Sequence, residues 1–204
     1  MYSGIVRTLG RVTKIDKSEN LMSIVLRVDE RFLEGLYLGA SCAVNGVCLS
    51  VTSMKDNELS FDLIKETMNA TTLSSLKISE DVHFERSLKV GEENGGHPLS
   101  GHIHTKAKVI ALSKGDGVHN VTLSLDEKYA KYLFKKGFIG LHGTSLTVME
   151  TGKGSFTVSL IPETLRQTIF SRAEIGTEYN IEIDQMTMAV VTTTERFLAS
   201  KSQK

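Results

Sequence analysis

Apolar and polar residues alternate in short stretches along most of the chain. Ser23 to Val28, Leu59 to Leu63, Val121 to Leu125 and Ser155 to Leu160 place β-branched or aromatic residues at near two-residue spacing, the period of a half-buried strand. Turn signals separate these stretches. Asn45-Gly46 lies between two alternating arms and predicts a two-residue hairpin. Gly115-Asp116-Gly117 and Gly152-Lys153-Gly154 mark further turns. Helical signals are sparse. The run from Asp126 has acids first, bases last and Gly137 as a stop, which predicts a helix over 126–136, and Asp29 to Glu34 predicts a shorter counterpart. Many short strands in about 95 residues point to a small closed or nearly closed β-barrel.

The pattern occurs twice. Asn45-Gly46-Val47-Cys48-Leu49-Ser50-Val51 lies over His142-Gly143-Thr144-Ser145-Leu146-Thr147-Val148 at an offset of 97. The same offset brings Leu63-Ile64-Lys65-Glu66-Thr67 onto Leu160-Ile161-Pro162-Glu163-Thr164, Ser3-Gly4 onto Ser100-Gly101, and Glu85 onto Glu182. One gap-free register across so many scattered positions implies two homologous domains, 1–97 and 98–187. Gly91 to Gly96, Gly-rich and polar, suits the boundary. The remaining segment, 188–204, matches nothing in the first half. Thr187, Val190, Val191, Thr194, Phe197 and Leu198 form an apolar stripe at helical spacing there. Such a helix could pack on another subunit or back on its own barrel; spacing does not separate the two.

Composition narrows the classes. The 24 Lys and Arg balance the 24 Asp and Glu, which argues against a nucleic-acid backbone binder. No apolar run reaches the roughly 18 residues of a membrane span, and the N-terminus has no secretory apolar region. Two cysteines, Cys42 and Cys48, are too few for a disulfide scaffold, so a reducing cytoplasmic setting is expected. His97, His102 and His104 lack a matching acid or thiol pattern and predict no metal site.

Longer stretches carry a specific likeness. Met1-Tyr-Ser-Gly-Ile-Val, the run from Gly39 through Asn45-Gly46 to Val51, Phe61-Asp-Leu-Ile-Lys-Glu-Thr, Gly95-Gly-His-Pro-Leu-Ser-Gly-His, Lys136-Gly-Phe-Ile-Gly and Leu160-Ile-Pro-Glu-Thr-Leu together resemble the riboflavin synthase family of the trimeric α-type, over nearly the whole chain. The resemblance implies an all-β fold: two tandem homologous six-stranded antiparallel Greek-key barrels with short helices and a C-terminal helix that joins three chains. It implies the dismutation of two 6,7-dimethyl-8-ribityllumazine molecules by four-carbon transfer, giving riboflavin and 5-amino-6-ribitylaminouracil, with no added cofactor or metal. It also implies a homotrimer with each site shared between neighbouring subunits, and lumazine synthase as a further candidate partner. Paired cradles suit a reaction between two copies of one molecule, because proximity and orientation can supply roughly 7–11 kcal/mol.

Cys48 and Ser145 hold the same place in the two repeats, just after a tight turn, and the resemblance puts them beside the substrate ring. Elsewhere a lone cysteine in a strand would read as packing. His102 stands where the first repeat has Ile5, and an imidazole can move the proton lost from a C7 methyl group. Glu66-Thr67 and Glu163-Thr164 are read at the ends of matched strands, where they could hold a ribityl chain or also cap a turn. Backbone of Gly4, Ile5, Val6, Gly101, His102 and Ile103 is expected to meet ring atoms, with Gly allowing close approach. Ser50 and Thr147 add matched hydroxyls beside Leu49 and Leu146. The resemblance adds Ser41, Lys136 and Asp184 near the site, and extends substrate contact over Asp62, Leu63, Ile64 and Lys65, and over Leu160, Ile161, Pro162 and Leu165.

The chain departs from the family at a few points. His142 stands where Asp is usual, although a positive-φ turn suits Asp or Asn better than His. Tyr2 replaces Phe, and Ser50 replaces Thr. A non-catalytic lumazine or flavin binder of the luminescence-antenna kind is the alternative reading. It is disfavoured because both halves keep their Glu-Thr pairs alongside Cys48, His102 and Ser145. A flavin reductase would need a nucleotide-binding Gly-rich turn, which is absent.

Overall fold

A computed structural model of the chain describes residues 1–115 and 117–202. Asp116, in the second predicted turn, and the last two residues of the tail lie outside the described residues. The first half contains β1 (Thr8–Lys17), β2 (Leu21–Arg27), β3 (Ser41–Val44), β4 (Val47–Lys55), β5 (Glu58–Ile64), α1 (Lys65–Ala70) and β6 (Asp81–Arg86). The second contains β7 (Thr105–Gly115), β8 (Val118–Ser124), α2 (Glu127–Ala130), β9 (Phe138–Leu141), β10 (Thr144–Gly152), β11 (Ser155–Leu160), α3 (Pro162–Gln167) and β12 (Glu178–Ile183). A longer helix, α4 (Gln185–Lys201), follows.

Each half is a closed six-stranded antiparallel barrel, in the order β1-β2-β5-β4-β3-β6 and its equivalent. The meander of strands three to five, with strand two beside strand five, is a Greek key. Even the irregularities repeat. Bulges at Val12/Lys14 and Val51/Ser53 recur at Val109/Ala111 and Val148/Glu150. Alternation fills each barrel: Ile24, Leu26, Leu59, Phe61 and Leu63 are buried in the first, and Leu123, Phe156, Val158 and Leu160 in the second.

Two local expectations are corrected. The helix predicted over 126–136 is confined to Glu127–Ala130. Beyond it the chain makes tight turns, because the Lys136 N–H donates to the Val148 carbonyl and draws the segment onto β10. Its counterpart in the first half is a single 3-10 turn at Glu30–Phe32. Glu66-Thr67 and Glu163-Thr164 do not end strands. They lie in the first turns of α1 and α3, the latter opened by Pro162, whose fixed φ suits that position.

The two hairpin turns meet between the barrels. Asn45-Gly46 and His142-Gly143 all have φ between 47° and 84°, the paired left-handed geometry of a two-residue hairpin. A Cβ on Gly46 would lie 2.5 Å from the Gly143 nitrogen. Around this contact lies a doubled set of buried hydrogen bonds, one matched bond within each barrel and one matched pair across the joint. The His83 N–H donates to Asn45 Oδ1 at 2.8 Å, and the matched Asn180 N–H donates to His142 Nδ1 at 3.0 Å. His83 Nε2 accepts from the Ile169 N–H at 3.0 Å, and Asn180 Oδ1 accepts from the Thr72 N–H at 2.8 Å. His142 is therefore tolerated in its turn because its ring satisfies a backbone donor of the same barrel.

The tail helix is capped by Asp184, whose Oδ2 accepts from the Thr187 N–H and hydroxyl at 2.8 and 2.6 Å. Met188 packs on the second barrel and Tyr132 reaches Thr192, so the start of α4 lies on its own domain. Val190, Phe197 and Leu198 remain exposed on it. Among the described residues no helix is long and apolar enough to cross a membrane.

Candidate active site

The short segment ahead of each barrel crosses to the other barrel. The Gly4 carbonyl accepts from the Ser145 N–H at 2.8 Å, and the Gly101 carbonyl accepts from the Cys48 N–H at 2.9 Å. Both glycines have left-handed φ, +73° and +81°, and a Cβ on either would lie 2.6 Å from the Cβ of Ser145 or Cys48. Only glycine meets both demands. A glutamate clamps each segment to its own barrel. Glu85 accepts from the Ser3 N–H and hydroxyl, both at 2.7 Å, and from the Gly4 N–H. Glu182 does the same for Ser100 and Gly101. Burial pushes the Glu85 carboxyl up, and the donors from Ser3 and Gly4 pull it back.

Each candidate cradle therefore draws on both halves. Beside Ser145 lies a cleft of about 540 Å³, lined by Lys136, Thr147, Ser159, Ile161 and Thr164 among others. That volume suits a small heterocycle with a side chain. The Ser145 hydroxyl lies 2.6 Å from His97 Nδ1 and accepts from the His97 N–H at 3.0 Å. The His97 ring stacks on Phe138 with centroids 5.0 Å apart. Its Nε2 is buried with no hydrogen-bond partner among the described residues. Burial lowers the His97 pKa, and the charge of Asp184 partly opposes this, so the ring is neutral at pH 7 and able to accept a proton.

At the matched place in the first barrel are Cys48, Ser50, Asp62, Ile64 and Thr67. Cys48 is half-buried and accepts a hydrogen bond from the Tyr2 hydroxyl at 3.1 Å. Asp62 accepts from the Ser23 hydroxyl at 2.6 Å; in the other barrel Ser159 donates to Asn120 Oδ1 at the same distance. The same bond is kept with its direction along the chain reversed, and a carboxylate is replaced by an amide. His102 is exposed next to Gly101, on the Cys48 side, and Ile103 packs against the first core.

The other predicted residues divide by exposure. Ile5 is half-buried and Val6 buried. The side chains of Leu49, Leu63, Leu146 and Leu160 point into the barrels, so only their backbone is free to face a ligand. Leu165 packs on the second core. Lys65 lies near Glu19, Glu66 is exposed, and Glu163 is paired with Arg166 at 2.6 Å. Ser41 pairs with Ser50 across β3 and β4, and its carbonyl accepts from Ser87. Asp184 is engaged as the helix cap. Sequence reasoning missed His97 and Tyr2 as partners of Ser145 and Cys48, and Ser159 and Asn120 as a matched polar pair. The repeat carried a signal for the last pair alone, since Ser23-Asp62 aligns with Asn120-Ser159.

Comparison with known proteins agrees with this arrangement. A family model described as the lumazine binding domain matches residues 3–87 and again 100–184, the same offset as the repeat. Riboflavin synthase of Escherichia coli strain K12 is 43% identical over 202 residues, covering 98% of this chain and 95% of the relative. The riboflavin synthases of Chlamydia pneumoniae and Bacillus subtilis strain 168 are 37% and 34% identical, covering 100% and 91% of this chain and 100% and 86% of the relatives. A crystal structure of LumP complexed with riboflavin superimposes with a TM-score of 0.83 at 24% identity, covering 90% of this chain and 99% of that one, and supports the fold.

Proposed function

The chain belongs to the riboflavin synthase family, and from that premise we propose that it converts two molecules of 6,7-dimethyl-8-ribityllumazine into riboflavin and 5-amino-6-ribitylaminouracil. The observation that carries this reading is the pair of matched cradles, one at Cys48 and one at Ser145, each completed by the other half of the chain. The two products contain all the atoms of the two substrates, so the reaction needs no oxidant or reductant to balance.

The residues divide the work. Glycine at residues 4 and 101 lets the leading segments close onto Ser145 and Cys48 and hold them at the edges of their cradles. Thr147 and Thr164 in one cradle, and Ser50 and Thr67 in the other, offer hydroxyls to the ribityl chain. Lys136 supplies positive charge at the rim of the second cradle, where a substrate deprotonated at its C7 methyl group would be stabilised. His102 on one side and His97, through Ser145, on the other are the groups able to take that proton. Neutral His97 accepts from Ser145 and makes its oxygen a better partner for an electron-poor ring carbon. Holding both rings in one orientation supplies much of the rate.

A homotrimer fits the exposed apolar residues of α4, with the first cradle of one chain facing the second cradle of its neighbour. An isolated chain would then hold two half-sites. The test is direct. Purified protein is mixed with 6,7-dimethyl-8-ribityllumazine alone, and the absorbance of riboflavin is followed. Formation of riboflavin and the pyrimidine in equal amounts is expected. Tight binding with no turnover would overturn the enzymatic reading in favour of an antenna-type binder.

A further inference from the structure

We propose that Tyr2 is a positioning residue for Cys48: its phenol donates a hydrogen bond to the sulfur and fixes the direction of the thiol in the first cradle. The proposal rests on the reading of Cys48 as part of that cradle.

The geometry is specific. Tyr2 is 1% exposed, and its ring packs with Ala43 and Leu99. Its backbone is tied to Leu99 in both directions, N–H to carbonyl, at 2.7 and 3.0 Å. Ring and backbone are thus anchored independently, and the hydroxyl has a fixed place 3.1 Å from Cys48 Sγ. Burial pushes the phenol well above its ordinary pKa, so it keeps its proton and remains a donor at any physiological pH. A donor held at that distance restricts rotation of the Cys48 side chain, so the sulfur keeps one direction. Cys48 itself is held at its backbone by Gly101.

The arrangement belongs to one cradle. The repeat places Leu99 where Tyr2 would be in the other copy, and the hydroxyl of Ser145 is met by His97 instead. The two reactive positions therefore have opposite partners: the sulfur faces a permanent donor, and the oxygen faces a ring nitrogen able to accept. Phenylalanine, the residue expected at position 2 from the family resemblance, would fill the same space without the donor.

The test is Tyr2→Phe, which removes one oxygen from the buried ring. Alkylation of Cys48 by iodoacetamide is followed across pH by peptide mass. Cys42 is fully buried and does not compete. At pH 7.5 the rate is expected to change about five-fold, the factor matching one hydrogen bond of about 1 kcal/mol. kcat is expected to fall with KM little changed. An unchanged alkylation profile would overturn the proposal. Cys48→Ser serves as the unlabelled control. A measurement on the unaltered chain covers the case in which the variant does not fold: alkylating Cys48 turns the thiol into a bulkier thioether that cannot keep the same place against the Tyr2 hydroxyl, which shifts the near-ultraviolet absorption of the buried tyrosine, and no shift overturns the proposal. Failure to form riboflavin would sink the enzymatic reading alone, because the alkylation comparison does not depend on turnover.

Discussion

His83 Nδ1 donates to the carbonyl oxygen of His142 across the contact between the barrels, at 2.8 Å. The proton must be on Nδ1, because Nε2 accepts from the Ile169 N–H. Both rings are buried and held neutral. Burial lowers His83 to about 4, and burial with the neighbouring His83 lowers His142 well below its ordinary value.

Acid should therefore loosen the joint between the barrels. The folded pKa of each ring lies below its unfolded value near 6.5, so their contribution is complete above about pH 6.5 and fades as pH falls towards 4. His83 alone should account for a loss on the order of 2 kcal/mol between pH 7.5 and pH 5. Urea unfolding at a series of pH values measures this. His83→Asn copies Asn180, whose amide makes the equivalent pair of bonds, and should flatten the slope while keeping the fold. An equally steep slope in that variant would show that the acid sensitivity lies elsewhere.

The glycine contact between the hairpins should be intolerant of a single methyl group. Gly46→Ala adds a Cβ where the Gly143 nitrogen lies 2.5 Å away, in a left-handed conformation. A loss of about 3 kcal/mol is expected, seen as a fall of about 6–12 °C in the melting temperature. Gly35→Ala makes a useful contrast: its φ is also positive, but nothing lies within 4 Å of the added carbon. The contrast in calorimetry separates overlap from backbone conformation.

His97→Gln should lower kcat by about 100-fold and leave lumazine binding within a few-fold. The substitution keeps polarity but removes the ring nitrogen 2.6 Å from the Ser145 hydroxyl. Stopped-flow turnover and equilibrium fluorescence titration separate the two effects. Loss of binding with unchanged kcat would assign His97 to shaping the cleft.

Cys48→Ala should slow turnover at least ten-fold and cost about 1 kcal/mol or less of stability, because the side chain is half-buried. Unchanged turnover would remove the thiol from the reaction.

The exposed face of α4 should control assembly. Val190 and Phe197 are 61% and 56% exposed. Val190→Asp with Phe197→Glu is expected to give monomers by analytical ultracentrifugation, with little activity. A fully active monomer would contradict a site shared between chains.

Much of this was legible in the residues. Period-two alternation marked the strands, and the offset linking Asn45-Gly46 to His142-Gly143 marked the duplication and the turns that face each other. Local rules failed where long-range bonds decide. The run after Asp126 has good helical chemistry, yet the Lys136 N–H bonds to β10 and cuts the helix short. The pairing of His97 with Ser145 is not legible locally, because the repeat assigns His97 no counterpart and the serine it meets lies 48 positions away. The exchange of leading segments is likewise invisible in the sequence, which assigns the close approach at Gly4 and Gly101 to a substrate ring, whereas the atoms against them are those of Ser145 and Cys48.

That exchange has the reciprocity of a symmetric dimer, with the same patch used from both sides. A pair of separate identical barrels would be bound to place the same side chain in both pockets, because one gene would write both. Joining them end to end lifts that obligation. One copy can keep a sulfur and the other an oxygen, each with its own proton partner, while the scaffold stays symmetrical. Chemical inequality between two identical reactants is then built into the polypeptide before either one arrives.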